Sequence, residues 1–319
     1  MIELDTIYNM DCFKGLKRLG DCTVDCVVTS PPYYALRDYG VNGQVGLEDS
    51  PKKYIRKLVK VFREVLRVMK PTGTCWVVIG DSYAGSNKGA AAYPENAKLY
   101  KQGTNKGTMS PGIRVKYKTE AKERDLIGIP WMLAFALRDL GFYLRQDIIW
   151  HKPNPMPESC TCRCTKSHEY IFMLTKSAKY YFDGKALREP ANTGVRPNEY
   201  NHRKVKFVVP GHRNEQFRGG NVSDGFRNKR DVWSMLVEPG YGGHHATFPL
   251  SLPRQCILLG CPADGVVLDP FMGSGTTAVA ALLEHRHYVG FELNGEYCNN
   301  AVERIEKIKA EPTFNFNSK

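Results

Sequence analysis

The feature that most constrains the fold is the alternation of short apolar runs with amphipathic stretches. Seven runs have the length and the β-branched or aromatic content of strands. They are Ile2–Tyr8, Val24–Thr29, Thr74–Ile79, Tyr143–Trp150, Glu169–Leu174, Val266–Asp269 and His287–Glu292. Helical periodicity marks Tyr54–Met69, Pro130–Leu140, Thr276–Glu284 and Glu296–Lys309. This alternation predicts an α/β fold with a doubly wound, mixed but mainly parallel, seven-stranded sheet.

The net charge of +12 is concentrated in two segments that interrupt this pattern. Residues 86–118 carry seven Lys or Arg against one Glu, and residues 184–230 carry eleven against four acidic residues. Both segments are rich in Gly, Asn and Pro and contain interspersed aromatic residues. A surface that neutralises nucleic-acid phosphates has this composition, and so do solvated loops. We interpret both segments as basic insertions into one domain.

The strongest chemical signal is the stretch Val266–Thr277, in which an apolar strand runs into a Gly-x-Gly turn (Gly273–Gly275) and then a helix. Glycines there let a ligand approach the backbone at the carboxyl edge of a sheet, which indicates a nucleotide-type cofactor. The turn lacks the third glycine of the dinucleotide motif and the lysine of a phosphate loop, so NAD and ATP are disfavoured. The next strand ends in Glu292, whose carboxylate is placed to accept hydrogen bonds from two ribose hydroxyls.

A second signal is the apolar strand Val24–Thr29, which stops abruptly at Ser30-Pro31-Pro32-Tyr33. Consecutive prolines fix φ and remove backbone donors, so the Ser30 side chain and the Pro31 carbonyl become rigid acceptors beyond the strand. Tyr33 adds a flat stacking face. An extruded base needs such partners for its amino group and its ring; the structural alternative is a strand that ends in a Pro-Pro turn.

The ten cysteines are scattered, mostly in apolar contexts, which is typical of reduced core residues. Cys160, Cys162 and Cys164, followed by His168, are the ligand types of a zinc site, but their spacing is tighter than usual, so we expect reduced cysteines and no metal.

No apolar run reaches the roughly 18 residues of a membrane span, and Met1–Tyr8 lacks a signal-peptide pattern. We therefore expect a cytoplasmic, nucleoid-associated protein with no membrane partner.

Ser-Pro-Pro-Tyr at 30–33, followed by Asp-Pro-Phe-x-Gly-x-Gly-Thr-Thr at 269–277, resembles the beta class of S-adenosylmethionine-dependent DNA amino-methyltransferases. Stretches at 34–40, 148–159, 167–171 and 231–233 match the same class, so the resemblance spans nearly the whole chain. It implies a Rossmann-like class I methyltransferase fold, S-adenosyl-L-methionine as cofactor and double-stranded DNA as partner. The class also suggests a homodimer and, in restriction systems, a cognate endonuclease.

Within a single domain spanning 1–319, the class order implies three regions. They are a catalytic half at 1–183 with a mobile basic insertion at 84–118, a target-recognition region at 184–232 and a cofactor-binding half at 233–319. The arginines that we expect to contact guanine or phosphate are Arg196, Arg203, Arg213, Arg218 and Arg227.

The resemblance also implies roles for individual residues. Ser30, Pro31, Pro32 and Tyr33 would form the catalytic site. The cofactor residues, from the methionine end to the ribose and then the two that close the pocket, would be Asp269, Phe271, Gly273, Gly275, Thr276, Glu292, Phe248 and Pro249. Asp11 would contact the adenine edge, because the first strand is expected beside the strand that ends in Glu292; Asp5 and Asp25 are alternatives.

The expected chemistry is direct attack of an exocyclic amine on the methyl group, with no covalent enzyme intermediate. Carbon-5 cytosine methylation needs a cysteine nucleophile, and the family that performs it has Pro-Cys where this chain has Pro31-Pro32. In the resembled class, Ser before Pro-Pro-Tyr usually accompanies cytosine N4 methylation, whereas Asp or Asn accompanies adenine N6 methylation. We expect cytosine N4, with adenine N6 as the alternative. An RNA or protein-amide methyltransferase and a catalytically silent nucleic-acid-binding protein are further alternatives.

Overall fold

The computed structural model describes residues 2–37, 39–84, 121–158, 160–191, 225–238 and 248–310. The strands are β1 (Thr6–Asn9), β2 (Val24–Thr29), β3 (Met69–Ile79), β4 (Tyr143–His151), β5 (His168–Thr175), β6 (Glu189–Pro190), β7 (Phe226–Arg227), β8 (Val232–Ser234), β9 (Val266–Asp269) and β10 (His287–Glu292). The helices are α1 (Cys12–Leu16), α2 (Pro51–Val68), α3 (Ile129–Leu140), α4 (Ser251–Gly260), α5 (Thr276–Leu283) and α6 (Gly295–Ala310). In these ranges no helix has the length and apolar character needed to cross a membrane.

The chain divides into two compact units, of which the larger comprises residues 1–183 and 231–319. It is built on an eight-stranded sheet in the order β1-β10-β9-β2-β3-β5-β4-β8. Neighbouring strands are parallel, except where β5 pairs with β3 and β4. The carboxyl ends of the parallel strands and the amino end of β5 therefore meet at one edge. The strand order reverses between β9 and β2, which is where open α/β sheets bind ligands.

The predicted mixed, mainly parallel sheet is confirmed, with one strand more than expected. The additional strand, β8, has three residues and pairs with β4 at the sheet edge, and a run that short carries no periodicity. The first strand begins at Thr6 instead of Ile2, because Asp5 adopts a φ of 58°, outside the extended region. The predicted neighbour relationship of β1 and β10 is present, with Asn9 opposite Glu292.

Helix α2 shows how the core is built. Ser50 caps its amino end by accepting a hydrogen bond from the Lys53 amide, and Pro51 occupies the first turn, where no backbone donor is required. The buried face includes Tyr54, Leu58 and other apolar residues at helical spacing, and it belongs to the same core cluster as residues of β2, β3 and β5. This packing supports the sheet edge on which the site lies.

The smaller unit comprises residues 184–230, of which 184–191 and 225–230 are described. In it, β6 and β7 form an antiparallel pair that places Glu189 opposite Arg227. Glu189 lies 3.4 Å from the Arg227 guanidinium and 3.0 Å from that of Arg230. Arg196, Arg203, Arg213 and Arg218 lie outside the described residues, as does nearly all of the basic insertion at 84–118.

Candidate active site

A cavity of about 740 Å³ lies at the sheet edge where β2, β9 and β10 end. It is lined by residues from both predicted halves of the protein, including Ser30–Tyr33, Gly273 and Glu292. The strand order explains this arrangement, since β2 lies directly beside β9 although their sequences are far apart. The two motifs singled out from the sequence therefore open into one space.

The Gly-x-Gly turn positions Glu292. Gly273 has a φ of 55° and its amide donates a 2.7 Å hydrogen bond to one carboxylate oxygen of Glu292, while the Asn294 amide donates to the other at 2.8 Å. Burial raises the pKa of this carboxyl. A carboxylate has about four lone-pair sites, so two remain available after these backbone contacts. That is the number needed to accept hydrogen bonds from two ribose hydroxyls.

Two neighbouring residues of the turn have different roles. Ser274 lines the cavity, and its buried hydroxyl has no hydrogen-bond partner among the described residues, so a polar ligand group fits there. Gly275 has a φ of 80°, and a Cβ at this position would lie 2.9 Å from the Ala301 Cβ of α6. Glycine at 275 is therefore required for the backbone conformation and for helix packing.

Asp269 joins the cofactor turn to the strand that precedes Ser30. Its buried carboxylate accepts hydrogen bonds from the hydroxyls of Thr29, at 2.6 Å, and Thr277, at 2.7 Å, and from the Phe271 amide. Burial raises the pKa of Asp269 to about 6, in opposition to these three donors. The carboxylate is thus held by protein groups, and it fixes the ends of β2 and β9 relative to each other.

In the Ser30–Tyr33 motif, the backbone acceptors are not equivalent. The Pro32 carbonyl accepts a 2.9 Å hydrogen bond from the Tyr54 hydroxyl, whereas no described residue donates to the Pro31 carbonyl. The Tyr33 hydroxyl donates a 2.6 Å hydrogen bond to Glu169. Burial, together with the Glu169 carboxylate, raises the pKa of Tyr33 well above its ordinary value.

Of the three aspartates considered for the adenine edge, Asp11 lines the cavity and caps α1 by accepting a hydrogen bond from the Lys14 amide. Asp5 bonds instead to the ring of His287, and Asp25 pairs with Lys70. Neither is among the lining residues in the described part of the chain. The geometry therefore favours Asp11.

The structure brings most of the remaining predicted residues to the cavity. Those that line it are Phe248, Asp269, Phe271 and Thr276, in addition to the ones already described. Pro249 and Gly275 are not among the lining residues in the ranges that the structure describes. Both adjoin a lining residue in the sequence, and their contact with the cofactor stays a prediction.

Several lining residues had no predicted part in catalysis or cofactor binding. They are Asp81, Lys152, Lys166, His168 and Glu169. Asp81 follows β3 and accepts hydrogen bonds from the amides of Gly128 and Ile129 at the amino end of α3. Lys152 and Lys166 lie in the connection from β4 to β5, and His168 and Glu169 are the first two residues of β5. Their charge at the ends of apolar strands is the signal that identifies them.

All ten cysteines lie in described residues as free side chains, and six of them are buried, in agreement with their apolar contexts in the sequence. The Sγ atoms of Cys160 and Cys162 lie 3.3 Å apart on an exposed loop. Within the described ranges, no group of three or more His, Cys, Asp or Glu side chains is arranged to hold a metal ion.

An open, mainly parallel sheet with a ligand cavity at its switch point, a Gly-x-Gly turn after β9 and a carboxylate at the end of β10 defines the class I methyltransferase architecture. Residues 24–303 match the family model described as DNA methylase, for the N6 and N4 enzymes. The chain therefore belongs to this DNA methylase family of amino-methyltransferases, and its cofactor is S-adenosyl-L-methionine.

Individual relatives agree with this assignment. The chain is 43% identical over 305 residues to the type II methyltransferase M.Cfr9I of Citrobacter freundii, covering 94% of this chain and 87% of that protein. It is 43% identical over 295 residues to M.SmaI of Serratia marcescens, covering 92% and 88%.

Solved structures show the same fold. The DNA modification methylase TTHA0409 of Thermus thermophilus, complexed with S-adenosyl-L-methionine, is similar with a TM-score of 0.57 and 25% identity, covering 95% of this chain and 93% of that one. The PvuII methyltransferase has a TM-score of 0.62 at 17% identity, covering 97% and 88%.

Proposed function

We propose that the protein is a site-specific DNA methyltransferase that transfers a methyl group from S-adenosylmethionine to the exocyclic N4 of an extruded cytosine. The observation that carries this proposal is that one cavity is lined both by Ser30–Tyr33 and by the Gly273 turn with Glu292. Holding two reactants in a single site is a large part of what accelerates a group transfer.

The acceptor side follows from the Ser30–Tyr33 geometry. An exocyclic amine is a weak nucleophile because its lone pair is delocalised into the ring. In this proposal the Ser30 hydroxyl and the Pro31 carbonyl accept the amine hydrogens. Two observations support it: both residues line the cavity, and no described residue donates a hydrogen bond to the Pro31 carbonyl. Accepting both favours the pyramidal nitrogen that attacks, and the bound cofactor supplies an electrophilic sulfonium methyl.

The cavity offers no reactive thiol for carbon methylation. Cys12 is the cysteine that lines it among the described residues, and burial, followed by the nearby Asp11 charge, raises the pKa of its thiol to about 12. A thiol with that pKa is protonated at neutral pH and does not attack a base. The site therefore suits direct transfer to nitrogen.

The choice of cytosine N4 rests on Ser30. In the resembled class, Ser at this position usually accompanies cytosine N4 methylation, whereas Asp or Asn accompanies adenine N6 methylation. A Ser hydroxyl and an Asp carboxylate both accept hydrogen bonds, so either can serve the amino group of cytosine or of adenine. Adenine N6 is therefore the other outcome of the test below.

Target recognition is assigned in this proposal to residues 184–232, with Arg196, Arg203, Arg213, Arg218 and Arg227 contacting guanine or phosphate. The excess of Lys and Arg in this segment supports a DNA surface. Relatives that are 43% identical over most of their length are type II methyltransferases, which supports membership of a restriction-modification pair with a cognate endonuclease.

The experiment is incubation of the protein with tritium-labelled S-adenosylmethionine and unmethylated DNA, followed by digestion to nucleosides and mass spectrometry. RNA serves as the parallel acceptor. Labelled N4-methylcytosine is the expected product. Labelled N6-methyladenine would overturn the base assignment and leave the reaction type intact. Cofactor binding with no label in DNA would overturn DNA as the acceptor and favour RNA or a protein amide.

A further inference from the structure

Tyr33 is connected to two charged residues that no motif assigns to catalysis. Its hydroxyl donates a 2.6 Å hydrogen bond to Oε2 of Glu169, and the Lys152 ammonium pairs with Oε1 of the same carboxylate. The side chains of Lys152 and Glu169 are each only 17% exposed. A carboxylate only accepts hydrogen bonds, so its two oxygens are divided between one charged donor and the phenol.

The hydrogen bond from Tyr33 to Glu169 passes over the end of β3. It can do so because the residue at that strand end is a glycine, which has no side chain. Strand β3 lies between β2 and β5, and Gly80 follows it. A Cβ on Gly80 would lie 2.8 Å from Cε2 of Tyr33 and 3.3 Å from Cδ of Glu169. Glycine at position 80 therefore leaves the space in which Tyr33 and Glu169 meet.

The third member, Lys152, directly follows strand β4. Trp150 of β4 pairs with Glu169 in the β4–β5 register, and the Lys152 amide donates to the Ser167 carbonyl. The Lys152 ammonium also lies 4.2 Å from the centre of the Trp150 ring, so its position is set by two independent contacts. All three members line the cavity.

The arrangement restrains the Tyr33 ring. An aromatic ring held only by packing can tilt, whereas a hydroxyl that is anchored to a largely buried, charge-paired carboxylate fixes the axis of its ring. Because a phenol O–H lies in the plane of its ring, the direction of the acceptor also favours one ring plane. The same cavity contains the acceptors Ser30 and Pro31, so the plane of Tyr33 determines where a base that stacks on it presents its amino group.

We propose that Glu169 is a positioning residue that sets the plane of Tyr33 through the phenol hydroxyl, and that Lys152 holds Glu169 in place. The inference rests on the proposed function, because the ligand of the Tyr33 ring is the extruded base.

The test is a double-mutant cycle with Tyr33→Phe, Glu169→Gln and the combined variant, measured by single-turnover methyl transfer to DNA at saturating cofactor. If Glu169 acts through the Tyr33 hydroxyl, each single variant is slower by about 10-fold and the combined variant is no slower than Tyr33→Phe. The Kd for S-adenosylmethionine stays at the wild-type value in all three. The matched control is Glu303→Gln, which removes an exposed Lys-paired carboxylate on α6 and leaves the rate unchanged.

Additive effects, with Glu169→Gln slowing the Tyr33→Phe protein as much as it slows the wild type, would overturn the inference while leaving the proposed function intact. A wild-type protein that binds cofactor and methylates no DNA would instead overturn the proposed function and the inference with it. If Glu169→Gln does not bind cofactor, Lys152→Gln replaces it in the cycle, with the same two outcomes deciding.

Discussion

The Thr29 hydroxyl donates a 2.6 Å hydrogen bond to the buried carboxylate of Asp269. Thr29 is the last residue of β2, directly before the Ser30–Tyr33 motif, and Asp269 is the last residue of β9, directly before the cofactor turn. Neighbouring parallel strands therefore hold the Ser30–Tyr33 motif and the cofactor turn side by side. This bond adds a side-chain connection to the pairing of β2 with β9.

Replacing Thr29 with Val removes this bond while keeping the side-chain shape. Asp269 then loses one of its three donors in a buried position, so we expect the free energy of unfolding to fall by about 1–3 kcal/mol. Methyl transfer should also slow, since the two strand ends lose a connection. Urea denaturation and single-turnover kinetics measure both effects.

The matched control is Thr23→Val, which removes a hydroxyl that bonds to the Gly20 carbonyl in an exposed turn. Equal effects of the two variants on the methyl-transfer rate would contradict a specific role for Thr29.

Asp269 also predicts a pH dependence of stability. Burial raises its pKa to about 6 from an ordinary value of 3.8. The folded state therefore retains a proton that the unfolded state releases between those values. The contribution of this group to stability is fully present below pH 3.8 and is lost as the pH rises through about 6, at about 1.4 kcal/mol per pKa unit.

Asp269→Asn removes this contribution. As the pH rises from about 4 to about 7, the free energy of unfolding of the Asp269→Asn variant should therefore fall less than that of the wild type. Urea denaturation across this range is the measurement, with the exposed Asp264→Asn as control. Curves for the wild type and Asp269→Asn that run parallel would contradict the raised pKa.

Glu292 predicts a specific loss of cofactor affinity. In Glu292→Gln, one carboxylate oxygen becomes an amide donor that faces a backbone N–H of Gly273 or Asn294. We expect the Kd for S-adenosylmethionine to rise by about 10-fold, measured by isothermal titration calorimetry. Glu296→Gln, an exposed residue in the first turn of α6, should bind as the wild type does. An unchanged Kd in Glu292→Gln would remove this residue from the cofactor site.

Cys12 tests whether any enzyme nucleophile takes part. Because burial raises the pKa of its thiol to about 12, Cys12→Ala should retain methyl transfer within about twofold. Single-turnover assays at matched cofactor saturation are the measurement. Loss of transfer in a variant that still binds S-adenosylmethionine would show that the thiol participates.

The sequence was sufficient for those parts of the fold and site that depend on local order. β-branched runs located the strands, and glycines or prolines at the ends of β9 and β2 located the two sides of the cavity. Glu292 was identified because it ends a strand that lies close in sequence to the glycine turn.

Contacts between distant segments were not predictable in this way. Thr29 and Asp269 are 240 residues apart, and Tyr33 and Glu169 are 136 apart. The role of Glu169 depends on the absence of a side chain at Gly80 in the strand between them. The packing role of Gly275 was equally hidden, since the need for glycine there depends on Ala301, which lies in a helix further along the chain.

The central claim is that Ser30 accepts a hydrogen from the attacking amine in the cavity that also binds the cofactor. Single-turnover methyl transfer to DNA by Ser30→Ala, at saturating S-adenosylmethionine, tests it most directly. We predict an unchanged Kd for the cofactor and a rate about 100-fold lower, as when a transition-state hydrogen-bonding group is removed from an active site. A rate equal to that of the wild type would contradict the claim.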